Sequence, residues 1–127
     1  MENLVYLFFM LFFHVVDDFY LQTGMLSNLK QKQWWLKHPD YKPMYKYDYL
    51  VGLMVHCFSW VFMIMLPILY KYKFIISFPM LAAYGVNFII HFIVDDLKAN
   101  RGKLNLIVDQ SVHILQIIIT YLVMMLL

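Results

Sequence analysis

Four apolar runs, about residues 4–26, 48–70, 74–97 and 104–127, take up most of a 127-residue chain. A helix needs roughly 20 apolar residues to cross the hydrocarbon core of a bilayer, so each run is long enough to span it. Inside lipid the backbone polar groups must find their partners within the segment, and runs of this length do so as helices. The rest of the composition agrees, with 63% of residues hydrophobic, 14% charged and a mean hydropathy of +0.66. The sequence therefore predicts an all-α, polytopic membrane protein, a single four-transmembrane-helix bundle over residues 1–127. Its opening, MENLVYLFFMLFF, has neither the basic stretch nor the small-residue cleavage site of a signal peptide, and is expected to stay as the first helix.

Each run also carries a histidine. His14 precedes Asp17 and Asp18, His91 precedes Asp95 and Asp96, Asp109 precedes His113 in the mirror order, and His56 stands in the second run. Residues four apart share a helix face, so His14/Asp18, His91/Asp95 and Asp109/His113 can each offer two groups to one ion. An acid at bilayer depth costs about 2.5–3.5 kcal/mol on insertion scales unless it is paired, hydrated or bound.

The basic residues set a topology. The first connector holds Lys30, Lys32, Lys37, Lys42 and Lys46, the second Lys71 and Lys73, the third Lys98, Arg101 and Lys103. The positive-inside rule then puts connectors one and three in the cytoplasm and both termini outside. At about 1.5 Å per residue, Asp18, His56, His91 and Asp109 all fall roughly 5–10 Å below the cytoplasmic edge, with His14 and His113 a little deeper. Nothing in the hydrophobic pattern requires up-going and down-going helices to agree on that layer, so the agreement points to one site.

Imidazole and carboxylate together suit zinc first, with manganese or iron as alternatives. The candidate ligands are His14, Asp18, His56, His91, Asp95, Asp109 and His113, more than one tetrahedral ion uses, so one or two divalent ions per chain are expected. Asp17 and Asp96, the off-face member of each doublet, are candidates for a general base or for orienting a ligand. Lys98, Arg101 and Lys103 lie where a phosphate would arrive. The leading expectation is a hydrolase at the cytoplasmic leaflet of a bacterial inner membrane, metal-dependent and acting on a lipid or phosphate-bearing substrate. Its rivals are a metal-ion or proton transporter or channel, lined if need be by a homo-oligomer, and a phage-encoded, non-catalytic modulator of a host membrane complex. A purely structural network of hydrogen bonds and ion pairs is the plainer reading of the same residues.

Other polar positions read more simply. Residues 28–47 mix lysine with Trp34, Trp35, Tyr41, Tyr45 and Tyr47, the composition of a segment lying at headgroup depth, and His38 there is not expected to be a ligand. Gln22, Asn87, Asn105 and Gln116 are expected to hydrogen-bond between helices, and Ala82, Ala83 and Gly85 to permit close helix approach. Cys57 is a lone packed thiol. The net charge of +2, with the basic residues in connectors, gives no indication of a nucleic-acid partner.

At HVVDDFYLQT, HFIVDD and DQSVHILQ the sequence resembles a family of small bacterial and phage integral membrane proteins catalogued only as a domain of unknown function (three-three-zero-seven). The likeness covers most of the chain and rests on His14, Asp18 and Gln22, on His91 and Asp95, and on Asp109, Gln110 and His113. It implies the four-helix fold and supplies no activity. A looser likeness, to membrane-bound proteins described as metal-dependent hydrolases, rests on His/Asp pairs in transmembrane helices.

Overall fold

The computed structural model describes residues 2–127, and among them every regular element is helical. Helix α1 (Glu2–Val15) runs directly into a π-helical turn (Val16–Leu21). The first connector folds as α2 (Gly24–Leu29), α3 (Lys32–Lys37) and a 3₁₀ turn (Pro43–Tyr45), and α4 (Asp48–Lys71), α5 (Phe78–Ala99) and α6 (Leu106–Leu126) complete the chain. Four segments, Asn3–Leu21, Pro43–Lys71, Phe78–Ala99 and Leu106–Leu126, are long and apolar enough to cross a membrane.

These pack as a closed ring. Helix α1 meets α4 and α6, and α5 meets the same two from the other side, while α4 also carries the connector helices. Leu53, Cys57, Trp60, Val61, Ile64, Met65 and Ile68 of α4 are accordingly buried. Those from Trp60 to Ile68 form a core with Met10, Met80, Ile117 and Met124. Phe8, Phe12, Ile107 and Leu126 point outward, the arrangement expected of lipid-facing positions, because acyl chains solvate apolar side chains as well as a core does.

Two span boundaries differ from the sequence expectation. The first run, expected to continue to residue 26, leaves helical geometry at Gln22 (φ −71°, ψ 80°), and the Thr23 hydroxyl caps α2 by accepting from Leu26 N. The third run, expected to start at residue 74, becomes helical only at Phe78, because Lys73 and Phe74 adopt positive φ (54° and 60°) and turn the chain first. Pro79 then lies in the opening turn of α5, where a missing N–H costs no helical bond.

The close approach is not where small residues cluster. A Cβ on Gly85 would meet nothing within 4 Å, and Ala82 is exposed. A Cβ on Gly52 would instead lie 2.7–2.9 Å from the backbone of Leu29 and Lys30. Glycine at 52 therefore lets the end of α2 rest on α4 and sends Lys30 inward. Asn100, just past α5, clamps the same turn: its Oδ1 accepts from Lys32 N (2.7 Å) and its Nδ2 donates to the Lys30 carbonyl (3.2 Å). Asn105, expected between helices, caps α6 instead by accepting from Val108 N at 2.9 Å.

Candidate metal centre

Four long helices bring their ionisable residues to the end of the bundle that carries connectors one and three. His14, Asp17 and Asp18 come from the C-terminal part of the first span, His56 from α4, His91 and Asp95 from α5, and Asp109 and His113 from α6. The π turn shapes the first contribution, since its i→i+5 bonding takes one extra residue per turn and lets both members of the Asp17–Asp18 doublet face inward. His14, Asp17, His56, His91, Asp95, Asp109 and His113 are all buried, and the Asp18 side chain is 8% exposed.

Two ligand groups emerge, sharing His91. Asp18, His56 and His91 place one donor atom each within 4.8 Å of one another, and His91, Asp95 and His113 do the same. His91 Nε2 lies 3.2 Å from His56 Nε2, and His91 Nδ1 lies 3.2 Å from His113 Nδ1. Asp95 bridges the two groups, with Oδ2 at 3.2 Å from His56 Nε2 and Oδ1 at 3.7 Å from His113 Nε2.

Hydrogen bonding fixes which nitrogens are free. Gln116 Nε2 donates toward Asn87, so Gln116 Oε1 accepts from His113 Nδ1 at 3.2 Å. A neutral His113 then turns the lone pair of Nε2 toward Asp109 Oδ1 (3.3 Å) and Asp95 Oδ1, an arrangement that either a proton on Nε2 or a cation between them would satisfy. This is the posture of a ligating histidine, one nitrogen anchored to a carbonyl and the other presented. Asp17 Oδ2, Asp18 Oδ1, His56 Nδ1, Asp109 Oδ1 and His113 Nε2 are buried and make no hydrogen bond among the described residues. Charge points the same way, because among the described residues Asp17, Asp18, Asp95 and Asp109 face two ammonium groups. Lys30 Nζ reaches Asp95 Oδ2 at 2.7 Å and Lys98 Nζ reaches Asp109 Oδ2 at 2.6 Å. Two negative charges remain without a fixed partner when all four acids are ionised, the balance a divalent cation would restore.

His14 has another task. Trp60 Nε1 can only donate, and does so to His14 Nδ1 at 2.8 Å, which leaves Nε2–H of His14 to donate to Gln110 Oε1 at 3.1 Å. Both nitrogens are thus engaged, and the ring belongs to neither ligand group. Gln110 passes the contact on, its Nε2 donating to Asp18 Oδ2 (3.0 Å) and Asp109 Oδ2 (3.2 Å). Asp17 accepts from the Ser59 hydroxyl, and its other oxygen lies 3.7 Å from His56 Nδ1, beyond hydrogen-bond distance.

Asp96 is set apart from the cluster, paired with Arg101 Nε at 2.9 Å and with Asn100. Among the basic residues singled out by the sequence, Lys98 reaches the site, whereas Arg101 holds Asp96 and Lys103 is exposed. Sequence reasoning gave Lys30 and Trp60 no place in the site and carried Gln110 only in the family resemblance. Trp60 forms the floor, stacked on His91 with ring centroids 4.1 Å apart, and below it lies the apolar core. On the opposite side a cavity of about 50 Å³, lined by Asp18, Gln22, Lys30, His56, Asp95, Lys98, Asp109 and Gln110, leads outward. It holds an ion or a water or two and no more. Another cavity, of about 600 Å³ between α1 and α4, is apolar and shares none of the cluster's residues, being lined by Val5, Phe9, Phe13, Leu66, Pro67 and Phe74.

Residues 6–127 match the family described as "Protein of unknown function (DUF3307)", and the chain belongs to it. No curated protein and no solved structure matches the chain.

Proposed function

We propose that the chain is a membrane-embedded, metal-dependent hydrolase whose site opens at the cytoplasmic leaflet of a bacterial inner membrane. The observation that carries this reading is the buried excess of acid: carboxylate oxygens and imidazole nitrogens from four helices converge, and several lack any partner. Intramembrane ionisable groups persist where they serve a function. His91 would hold a divalent ion either with His56 and Asp18 or with His113 and Asp95, zinc being favoured by the nitrogen and oxygen donor set, and two ions at once would require the His91 ring to release its remaining N–H proton. Such an ion supplies Lewis acidity, polarising an ester or phosphoryl oxygen and acidifying water at neutral pH.

The chain's own residues do the rest. Gln116 keeps His113 in place, Asp17 sets a negative charge beside His56, and Trp60 bars water from the core beneath. Lys30 and Lys98 flank the mouth and can neutralise anionic oxygens of a phosphate-bearing substrate as it displaces them from Asp95 and Asp109. The closed floor favours chemistry at one membrane face over passage through the bundle. Metal analysis of purified protein, with hydrolysis of p-nitrophenyl phosphate and its diester followed before and after chelation, tests the reading. About one or two ions per chain and chelator-sensitive turnover are expected. Full turnover in chelator, or protein without stoichiometric metal, would overturn it.

A second reading rests on a separate observation. From His113 a line of hydrogen bonds descends through Gln116 and Asn87 to Thr120, with Asn87 Nδ2 donating to Thr120 Oγ1 at 2.7 Å. A proton or metal-ion transporter would use such a line, and ion flux into proteoliposomes that disappears in His91→Ala would favour it.

A further inference from the structure

Away from the metal centre, the first connector builds a compartment of its own. Trp34, Trp35, His38, Tyr41 and Tyr45 wall a cavity of about 200 Å³, and the one carboxylate on its lining is Asp40. The rings are set at angles to one another and do not stack flat. Trp34 meets Trp35 edge to face (86°, centroids 5.1 Å apart), and Trp34 and His38 are tilted by 54° at 5.3 Å. The scaffold is anchored, since Trp35 Nε1 donates to the Leu29 carbonyl at 2.8 Å, and the half-buried faces of Trp34, Trp35, Tyr41 and Tyr45 remain on the cavity.

Indole and phenol faces carry negative quadrupole density, and several of them around one hollow attract a cation with a large, weakly hydrated surface. A nearby carboxylate strengthens that preference. Lysines alone would argue for an anion, yet none lines the cavity; Lys37 and Lys42 flank it in sequence and are exposed. A group with both charges a few ångströms apart satisfies the rings and the lysines together. We propose that this aromatic box binds the headgroup of a zwitterionic phospholipid, its alkylammonium among Trp34, Trp35, Tyr41 and Asp40 and its phosphate toward the flanking lysines. The site is independent of the metal centre and would fix the depth of the connector beside it.

The indole N–H resonances of Trp34, Trp35 and Trp60 report on it separately, in ¹⁵N-labelled protein held in phosphatidylglycerol nanodiscs. Titration with dihexanoylphosphatidylcholine is expected to shift the Trp34 and Trp35 signals saturably and to leave Trp60 unmoved. Tetramethylammonium chloride is expected to move the same two signals at higher concentration, and hexyl phosphate to leave them in place. Asp40→Asn is expected to weaken the lipid roughly threefold to tenfold and Trp34→Leu to abolish saturation, by the size of cation–π and single-charge contributions. The Trp60 signal, held by His14, verifies that each variant is folded. Equal response to hexyl phosphate, response to the free cation but not the lipid, or a linear response without saturation would overturn the assignment.

Discussion

His91 is the residue on which both ligand groups depend, and its ring is fully buried between His56, His113 and Trp60. His91→Ala is therefore expected to remove nearly all bound metal, whereas His56→Ala or His113→Ala should each leave part of it; inductively coupled plasma mass spectrometry of purified variants reads this directly. Lys30 offers a sharper test. Its ammonium is the only lysine contact to Asp95, and breaking a buried pair from one side costs about 3 kcal/mol. Lys30→Met is expected to lower stability by that order in metal-free protein and by much less once zinc compensates Asp95. Thermal unfolding in detergent, with and without zinc, separates the two, and equal losses in both conditions would count against a cation beside Asp95. The His/Asp pairs were legible in the sequence because intramembrane ionisable groups stand out against apolar runs. Lys30 was not, since it lies among lysines and aromatic rings whose composition describes a surface segment. Only the fold shows that the chain turns back there. Trp60 was hidden in the opposite way, as one more large apolar residue until its N–H and its ring face acquire partners from α1 and α5.

At the scale of elements, spacing of four predicted the shared faces of α5 and α6 correctly in kind, because both are regular α-helices. The first span departs from that rule. Its π turn coincides with tertiary contacts of Asp17 and Asp18 that no local periodicity records, and the helix breaks just beyond it at Gln22. Small residues misled in a comparable way, since Gly85 faces open space while Gly52, isolated among bulky neighbours, sits where two backbones touch. Gly52→Ala forces its new methyl against Leu29 and Lys30 and is expected to cost about 1–3 kcal/mol, the usual range for overpacking. Because that shift also withdraws Lys30, the substitution should alter zinc affinity as well as melting temperature. Gly85→Ala should leave both unchanged within error.

Across the whole molecule the four spans, their order and the single polar end were all readable from hydropathy and from the uneven lysine count. Orientation is the part open to direct measurement. With Cys57 buried, a cysteine introduced at Lys103 is expected to react with a membrane-impermeant maleimide only from the cytoplasmic face, and one at Ile75 only from the other. The reverse pattern would move the proposed site to the outer leaflet.

The contact between His14 and Gln110 spans 96 positions of the sequence, and Asp18 leans on that same glutamine. During synthesis, then, the leading helix reaches the translocon with two acids whose partners have not yet been made. Asp17 finds Ser59 once α4 is made, but the hydrogen bond to Asp18 waits for the last helix to leave the ribosome, so truncation before α6 is expected to yield a chain more readily handed to quality-control proteases.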